Sequence, residues 1–452
     1  MPLRRLIGDA DAAARRPMAT RVTAALTLLA ASGVAWLSVS APIVARALQA
    51  LILVSMAYVA WLAWNGWRVM RRALAESREG AASVDRPLVS LVVPARNEVR
   101  SIAATVQALA RLSYPGVDGA PHYEVLVIDD GSTDETGAAA SAASDGAGHV
   151  HILRRDPDGA RRTKGSVLAW AMGHVRGEVI GAIDADTRVH PEFLEHVMRA
   201  WARDPAASAI QVARHPRNAG SSWLTLAQEE EQLMDLASQC GRWGTDGTAE
   251  LRGNGMFIRR QALEAVGGWS PTALTEDLEL STRLESEGHR VALAPEAAVE
   301  EEAVEAIRPL WRQRLRWAEG SLRRLLEHGP GLLAGSQPIG RKLDFLAFAG
   351  EFAVPPLFAA TVVAGLVTIP LPQAADWTVP ASLGIGYAVG IFALAMAGLH
   401  ATGVRGPALV GRAVRGSVFL THWLFVVPVV MVRIAFGPAT AGFEQTPRFL
   451  GD

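Results

Sequence analysis

Residues 123–134 read YEVLVIDDGSTD and residues 178–186 read EVIGAIDAD, two apolar runs that each end in acids. Runs of Val, Ile and Leu without polar alternation suit strands buried on both faces of a parallel sheet. Two more, LVSLVVP at 88–94 and HVHILRR at 149–155, have the same character. Helical stretches follow the four runs at Ser101, Thr133, Gly165 and Pro191, so strands and helices alternate from Asp85 onward. This alternation predicts an α/β fold, a mostly parallel sheet with helices on both faces. In such a sheet ligands bind beyond the carboxyl ends of the strands.

The strand ends are therefore where chemistry is expected. The first strand runs into Pro94-Ala-Arg-Asn-Glu98 rather than a glycine fingerprint. No G-x-x-x-x-G-K-S/T occurs, which weakens the dinucleotide and P-loop readings. In Asp129-Asp130-Gly131-Ser132-Thr133-Asp134 an acid can accept hydrogen bonds from a ribose or a base, but Asp, Ser and Thr are also the ordinary residues of turns and helix caps. At Asp184-Ala185-Asp186 the strand period of two points both carboxylates to one face at the edge of the sheet. Two hard oxygen ligands beside a diphosphate suit Mg²⁺ or Mn²⁺, although a lone D-x-D also arises as a solvated loop. Thr275-Glu276-Asp277 opens a helical stretch, where acids serve either the helix dipole or catalysis. His149 and His151 have no third ligand in spacing and read as structural, and the Glu300 to Glu302 run reads as solvated.

The chain has 452 residues, half of them hydrophobic, with 44 Lys+Arg against 45 Asp+Glu. The near-zero charge excludes polycation behaviour, and with no basic motif the expectation is no nucleic acid partner. A lone Cys240 excludes an internal disulfide framework or a multi-cysteine metal site. Charge-free windows at Val22–Ala45, Ala47–Trp67, Phe352–Ala375 and Trp377–Val404 are long enough to span a bilayer, and a shorter one, Gly416–Val432, crosses or lies at the interface. The first window is not expected to be a cleaved signal peptide, because a second span follows at once. Arg4, Arg5, Arg15, Arg16 and Arg21 before the first span, with Arg68, Arg71 and Arg72 after the second, place both flanks and the polar middle in the cytoplasm. Few polar groups fall near span ends, the clearest being Gln49, Asn65, Trp377, His400 and His422. That scarcity favours an acceptor arriving from the lipid side.

From Pro309 onward, PLWRQRLRWAEGSLRRLLEHG reads as an amphipathic helix. Trp311, Leu315, Ala318, Leu322, Leu325 and Leu326 form its apolar stripe, while Gln313, Arg316 and Trp317 share the other side. The stripe suits a membrane surface, with the polar side facing a cavity.

Taken together, PARNE (94–98), VIDDGSTD (127–134), Lys164-Gly165, DAD (184–186), RGNGMFIRR (252–260), GGW (267–269), TED (275–277) and QRLRW (313–317) resemble the membrane-bound glycosyltransferases of family 2, with the GT-A nucleotide-sugar fold. RWAEG (316–320), EEEAV (300–304), RKLDFL (341–346) and THWLFVVPVVMVRIAF (421–436) are most similar to the bacterial β-monoglucosyldiacylglycerol synthases within it.

The resemblance implies that Glu98, Asp129 and Asp130 hold the uridine of a UDP-sugar. It implies that Lys164 and Asp184 face the diphosphate, that Asp186 with Asp184 holds the Mg²⁺ or Mn²⁺, and that Asp277 is the general base. Gln313, Arg316 and Trp317 would close over diphosphate and acceptor. The implied activity is inverting transfer of a hexose, glucose from UDP-glucose, to 1,2-diacylglycerol at the cell (inner) membrane. A processive polysaccharide synthase of the cellulose, chitin, hyaluronan or poly-N-acetylglucosamine kind shares these motifs, and a non-catalytic UDP-sugar-binding membrane protein is a third class. The expected organisation is a cytoplasmic N-terminus and transmembrane hairpin (1–84), a GT-A catalytic domain (85–302), an interfacial helix region (303–340) and a region of two or three spans (341–452).

Overall fold

The strands β1 (Val89–Ala95) and β2 (Tyr123–Asp129) are buried at every position except Pro94, and they pair in parallel with Val89 opposite Tyr123. Both faces must therefore be covered, which explains their uninterrupted apolar runs. The one acid inside, Glu124, is 2 % exposed and accepts from Ser90 Oγ (2.6 Å) and Arg176 Nε (2.7 Å), so its charge is compensated. β3 (Val150–Arg154) joins β2 and β4 (Val179–Ala182) joins β1, both in parallel. The computed structural model describes residues 18–77, 85–156, 163–369 and 378–437. Arg4, Arg5, Arg15, Arg16, Trp377 and the loop around 370–377 lie outside the described residues.

The sheet continues with strands that the apolar runs did not announce: β5 (Arg188–Val189), β6 (Ala207–Pro216), β7 (Met256–Arg259) and β8 (Arg290–Glu301). The order is β3-β2-β1-β4-β7-β6-β8-β5; β7 is antiparallel to both neighbours and β5 antiparallel to β8. The sheet is therefore mixed beyond its first four strands. β8 escaped notice because Pro295 and four alanines are poor strand formers that only tertiary pairing with β6 holds extended. Ile102, Val106, Phe193 and Val197 cover one face, and Val167, Leu168, Leu280 and Leu284 the other. His149 packs edge-on to Tyr123 with centroids 4.9 Å apart, a structural role.

Among the described residues four helices are long and apolar enough to cross a membrane, or five if the bent pair Ile339–Glu351 and Val354–Thr368 counts as one span. The window boundaries are corrected in three places. The first helix ends at Ser40 and the second runs Pro42–Glu76, so Arg46 lies inside a helix. Pro42 sets this break, since proline fits best in a helix's first turn. The window from Phe352 is broken by 43° beside Pro355 and Pro356 for the same reason. The window Gly416–Val432 contains a break at Thr421 and His422, between helices Gly406–Leu420 and Trp423–Phe436.

The helix Trp223–Trp243 docks the sheet-bearing part onto these segments. A Cβ at Gly66 would stand 2.0 Å from the Ala237 carbonyl oxygen, and one at Gly241 would stand 2.3 Å from that of Leu62. Helix Pro42–Glu76 thus meets helix Trp223–Trp243 backbone to backbone, which only glycine allows. Arg412 pairs with Glu229 (2.5 Å) and Glu230 (3.0 Å), and Arg415 Nε reaches Glu230 Oε2 at 2.9 Å, which fixes the far side of the same helix.

Candidate active site

The loops after β1 and β2 are knitted together by their own polar residues. Asn97 adopts φ 53°, a left-handed conformation that asparagine tolerates. Its backbone N–H donates to Ser132 Oγ (3.1 Å), and its side-chain oxygen accepts from the Thr133 N–H (2.9 Å). The Glu98 N–H donates to Thr136 Oγ1 (2.8 Å), and the Glu98 carboxylate accepts from Ser101 Oγ (2.9 Å). Asp130 faces Arg155 at 3.2 Å. Asp129 is turned inward: Oδ1 accepts from the Ser132 N–H (2.9 Å), and Oδ2 faces Arg154 (3.2 Å). Glu98 and Asp130 line the main cavity, whereas the Asp129 side chain shapes the turn beneath it.

At the end of β4 the expected geometry is corrected. The strand stops at Ala182, and Asp184 opens a turn closed by the Thr187 N–H on the Asp184 carbonyl (3.2 Å). The period-of-two argument no longer applies there, and the two carboxylates differ in exposure. Asp184 opens on the cavity and receives Lys164 Nζ at 2.5 Å. Asp186 is 1 % exposed, with the Glu302 N–H 3.4 Å from Oδ2. Asn254 clasps this turn, its Oδ1 accepting from the Asp184 N–H (3.1 Å) and Thr187 Oγ1 (3.2 Å) while its Nδ2 donates to Glu301 (3.1 Å). The Glu300 to Glu302 run is solvated only at Glu300: β8 ends at Glu301, and Glu301 and Glu302 line the cavity.

Lys164 is the hub of the site. It opens helix Lys164–Ala171, whose N-cap Thr163 forms a capping box with Ser166. Its ammonium also donates to the Gly253 carbonyl (2.7 Å) and stands 3.8 Å from Glu276 Oε1. Burial opposes this charge, but Asp184, Glu276 and Asp277 outweigh it and raise the pKa. Glu276 is pushed up to about 7, by burial first and then by the neighbouring Asp277 charge, with Lys164 pulling the other way. Gly253 sits at φ +80°, and a Cβ there would lie 3.1 Å from Asp277 Oδ2. A Cβ at Gly320 would lie 2.3 Å from Thr275 Cγ2, so this glycine lets helix Ile307–Ala334 press against the TED turn.

Gln313, Arg316 and Trp317 line the same cavity as Lys164, Asp184 and Asp277. The apolar stripe of their helix is corrected in part. Leu315, Ala318 and Leu322 pack on Val427, Val430 and Met431 of helix Trp423–Phe436 rather than lying free for a membrane surface, while Trp311 stays exposed. Helix-on-helix burial satisfies those residues within the protein.

The cavity has a volume of about 1540 Å³ and three kinds of wall. One end holds the strand-end acids. The middle is charged but compensated: Arg252 binds Asp235 (2.8 Å) and Glu250 (2.6 Å), Arg324 also pairs with Glu250, and Arg242 meets Asp344 (3.1 Å). Burial pushes Glu250 up, but Arg324, Arg252 and Arg242 overcome it and hold it down at about 2. The third wall is apolar, with Leu51, Ile52, Met56, Leu357 and Leu383 of the candidate membrane-spanning helices. Neither Gln49, Asn65, His400 nor His422 is among the lining residues; helices Trp223–Trp243 and Ile307–Ala334 supply part of the polar lining, and the candidate spans add Ser55, Tyr58, Glu351 and Tyr387. Gly253, Asn254 and Glu276 were quoted within motifs without a role. The positive-φ glycines at 253 and 255 that frame Asn254 were the available signal.

The profile of the family described as "Glycosyltransferase like family 2" matches residues 86–320. A β-monoglucosyldiacylglycerol synthase from Synechocystis is 33% identical over 81% of this chain and 76% of its own length. A protein of the same name from Nostoc is 32% identical over 80% of this chain and 76% of its own. Among solved structures, a mannosyltransferase from Pyrobaculum calidifontis in complex with GDP-Man and Mn²⁺ superposes with TM-score 0.54 at 20% identity, covering 85% of this chain and 99% of that one. That likeness is one of fold.

Proposed function

The chain belongs to the glycosyltransferase-like family 2, and from that premise we propose that it transfers one hexose, glucose from UDP-glucose, with inversion to the free hydroxyl of a diacylglycerol at the cytoplasmic face of the cell membrane. The observation that carries this reading is the continuity of the cavity from Asp184 and Asp277 to the apolar Leu51, Ile52 and Leu383. A water-soluble acceptor has no use for such a wall, whereas acyl chains do. The names of the Synechocystis and Nostoc relatives point the same way.

In this reading Glu98 and Asp130 bind the nucleoside, and Lys164 leaves Asp184 to meet the diphosphate. The donor set at this end of the sheet is oxygen only; among the described residues no group of three or more His, Cys, Asp or Glu could hold an ion unaided. That chemistry fits Mg²⁺ or Mn²⁺ with diphosphate and water completing the shell, held by Asp184 and Asp186. When bound, the ion would neutralise charge on the diphosphate. Asp277 takes the proton of the acceptor hydroxyl as its oxygen attacks the sugar C1. Arg316 stabilises the departing diphosphate, and Gln313 and Trp317 hold donor and acceptor in line.

The test incubates purified protein with labelled UDP-hexoses and diacylglycerol, then separates organic-soluble glycolipid from polymer. A single hexose on the lipid is expected. A water-soluble polymer formed without lipid acceptor would instead identify a processive synthase.

A further inference from the structure

Arg314 lies inside the QRLRW motif but outside the set of residues given a role above, and its surroundings are unusual. Its side chain is 2 % exposed. One nitrogen, Nη2, pairs with Glu231 Oε2, and the other oxygen of Glu231 accepts from Trp423 Nε1 at 3.1 Å. The guanidinium carbon lies 4.3 Å from the centre of the Trp317 ring and 5.9 Å from that of Trp423. Two indoles thus flank the cation, an arrangement suited to arginine. Yet Nε and Nη1 are buried without a hydrogen-bond partner among the described residues. All four side chains line the cavity next to Leu420 and Val427 of the membrane segments.

Two buried charged donors left unpaired are costly, and such groups in a native protein call for a ligand. Glu231 already neutralises the guanidinium, so the free donors suit an uncharged oxygen rather than a second anion. In a diacylglycerol the nearest ester group sits on the carbon adjacent to the one that bears the free hydroxyl. Asp277, Trp317 and Arg314 line one cavity, so a hydroxyl held at Asp277 leaves the adjacent ester carbonyl to be met on the Trp317 helix, where Arg314 lies one turn from Trp317. We propose that Arg314 is an ester-carbonyl subsite, reading the acyl linkage of the acceptor lipid through Nε and Nη1 when the Trp317 ring shifts to admit it. The inference rests on the lipid-acceptor reading above.

The experiment uses the full chain in mixed micelles with labelled UDP-glucose and two acceptors, 1,2-dioleoylglycerol and its 1,2-dioleyl ether analogue. Both carry the same hydroxyl, but only the first has ester carbonyls. The wild type is expected to favour the diester by about tenfold or more in kcat/KM, the scale of a hydrogen bond to a charged donor. Arg314→Lys keeps the Glu231 pair but loses the planar donors, so it should lower kcat/KM for the diester by about that factor, mainly through KM, and leave the diether within about twofold. Equal losses on both acceptors would reduce Arg314 to a support for Trp317 and overturn the subsite. So would a wild-type ester-to-ether ratio near one, a measurement that stands even if the variant fails to fold. A wild type that makes polymer and no glycolipid overturns the lipid-acceptor reading itself, and is recognised before any variant is made.

Discussion

Replacing Gly253 by alanine tests whether the placement of Asp277 limits the reaction. At φ +80° an added Cβ is strained by about 1–2 kcal/mol wherever it points. Here it would also stand 3.1 Å from Asp277 Oδ2 and 3.9 Å from Lys164 Nζ. The carboxylate would have to retreat by a few tenths of an ångström. A misplacement of about 1 Å at a reacting group costs roughly a hundredfold, so this smaller shift should lower kcat by roughly tenfold. Gly267→Ala separates the two effects, because Gly267 has φ +83° and nothing within 4 Å of an added Cβ. That variant should lose similar stability and keep its turnover. The assay is hexose transfer at saturating donor, with UDP affinity measured separately by titration calorimetry. If Gly253→Ala turns over within twofold of Gly267→Ala, the contact with Asp277 does not matter and the argument fails.

Asp277→Asn preserves size while removing the base; turnover should fall by roughly two to four orders of magnitude with UDP affinity nearly unchanged, and a near-normal rate would leave Asp277 as a helix-end acid. Excess chelator should abolish transfer, and Asp186→Ala should do the same; full activity in either case refutes the metal assignment. Glu276 is held neutral up to about 7 when folded but ionises near 4.5 when unfolded. The unfolded chain thus releases its proton first, and stability falls as pH rises from about 4.5 to 7, by at most about 3 kcal/mol, then levels off. Glu276→Gln should flatten that part of the thermal-unfolding profile between pH 5 and pH 8, and an unchanged slope would show that Glu276 ionises normally in the fold.

The first half of the sheet was legible because β1, β2 and β4 are buried on both faces, and such strands advertise themselves as unbroken runs of Val, Ile and Leu. β6, β7 and β8 gave no such signal, since they are strands by virtue of their partners: Met256–Arg259 is only four residues long, and β8 contains a proline. The site divides along the same line. Strand ends and helix starts, which are local features, singled out Asp184 and Asp277, and the helical period put Gln313, Arg316 and Trp317 on one side, while their roles came from the family resemblance.

The sequence by itself determined the alternation of strands and helices, the apolar segments, and the acids and the Arg/Trp face that line the cavity, all of which follow from periodicity over a few residues. Tertiary structure alone decided how deeply Asp184 and Asp186 are buried, since the turn between them is held by Asn254, seventy residues away from Asp184. It also decided that Lys164 meets Gly253 and Glu276, that Leu315, Ala318 and Leu322 of helix Ile307–Ala334 are covered by helix Trp423–Phe436, and that Arg314 is held by Glu231 beside two tryptophans. Apart from Arg314 against Trp317, one turn along the same helix, these contacts join residues distant in the chain. Local propensity carries no information about such pairs; burial and charge compensation select them once the chain has folded.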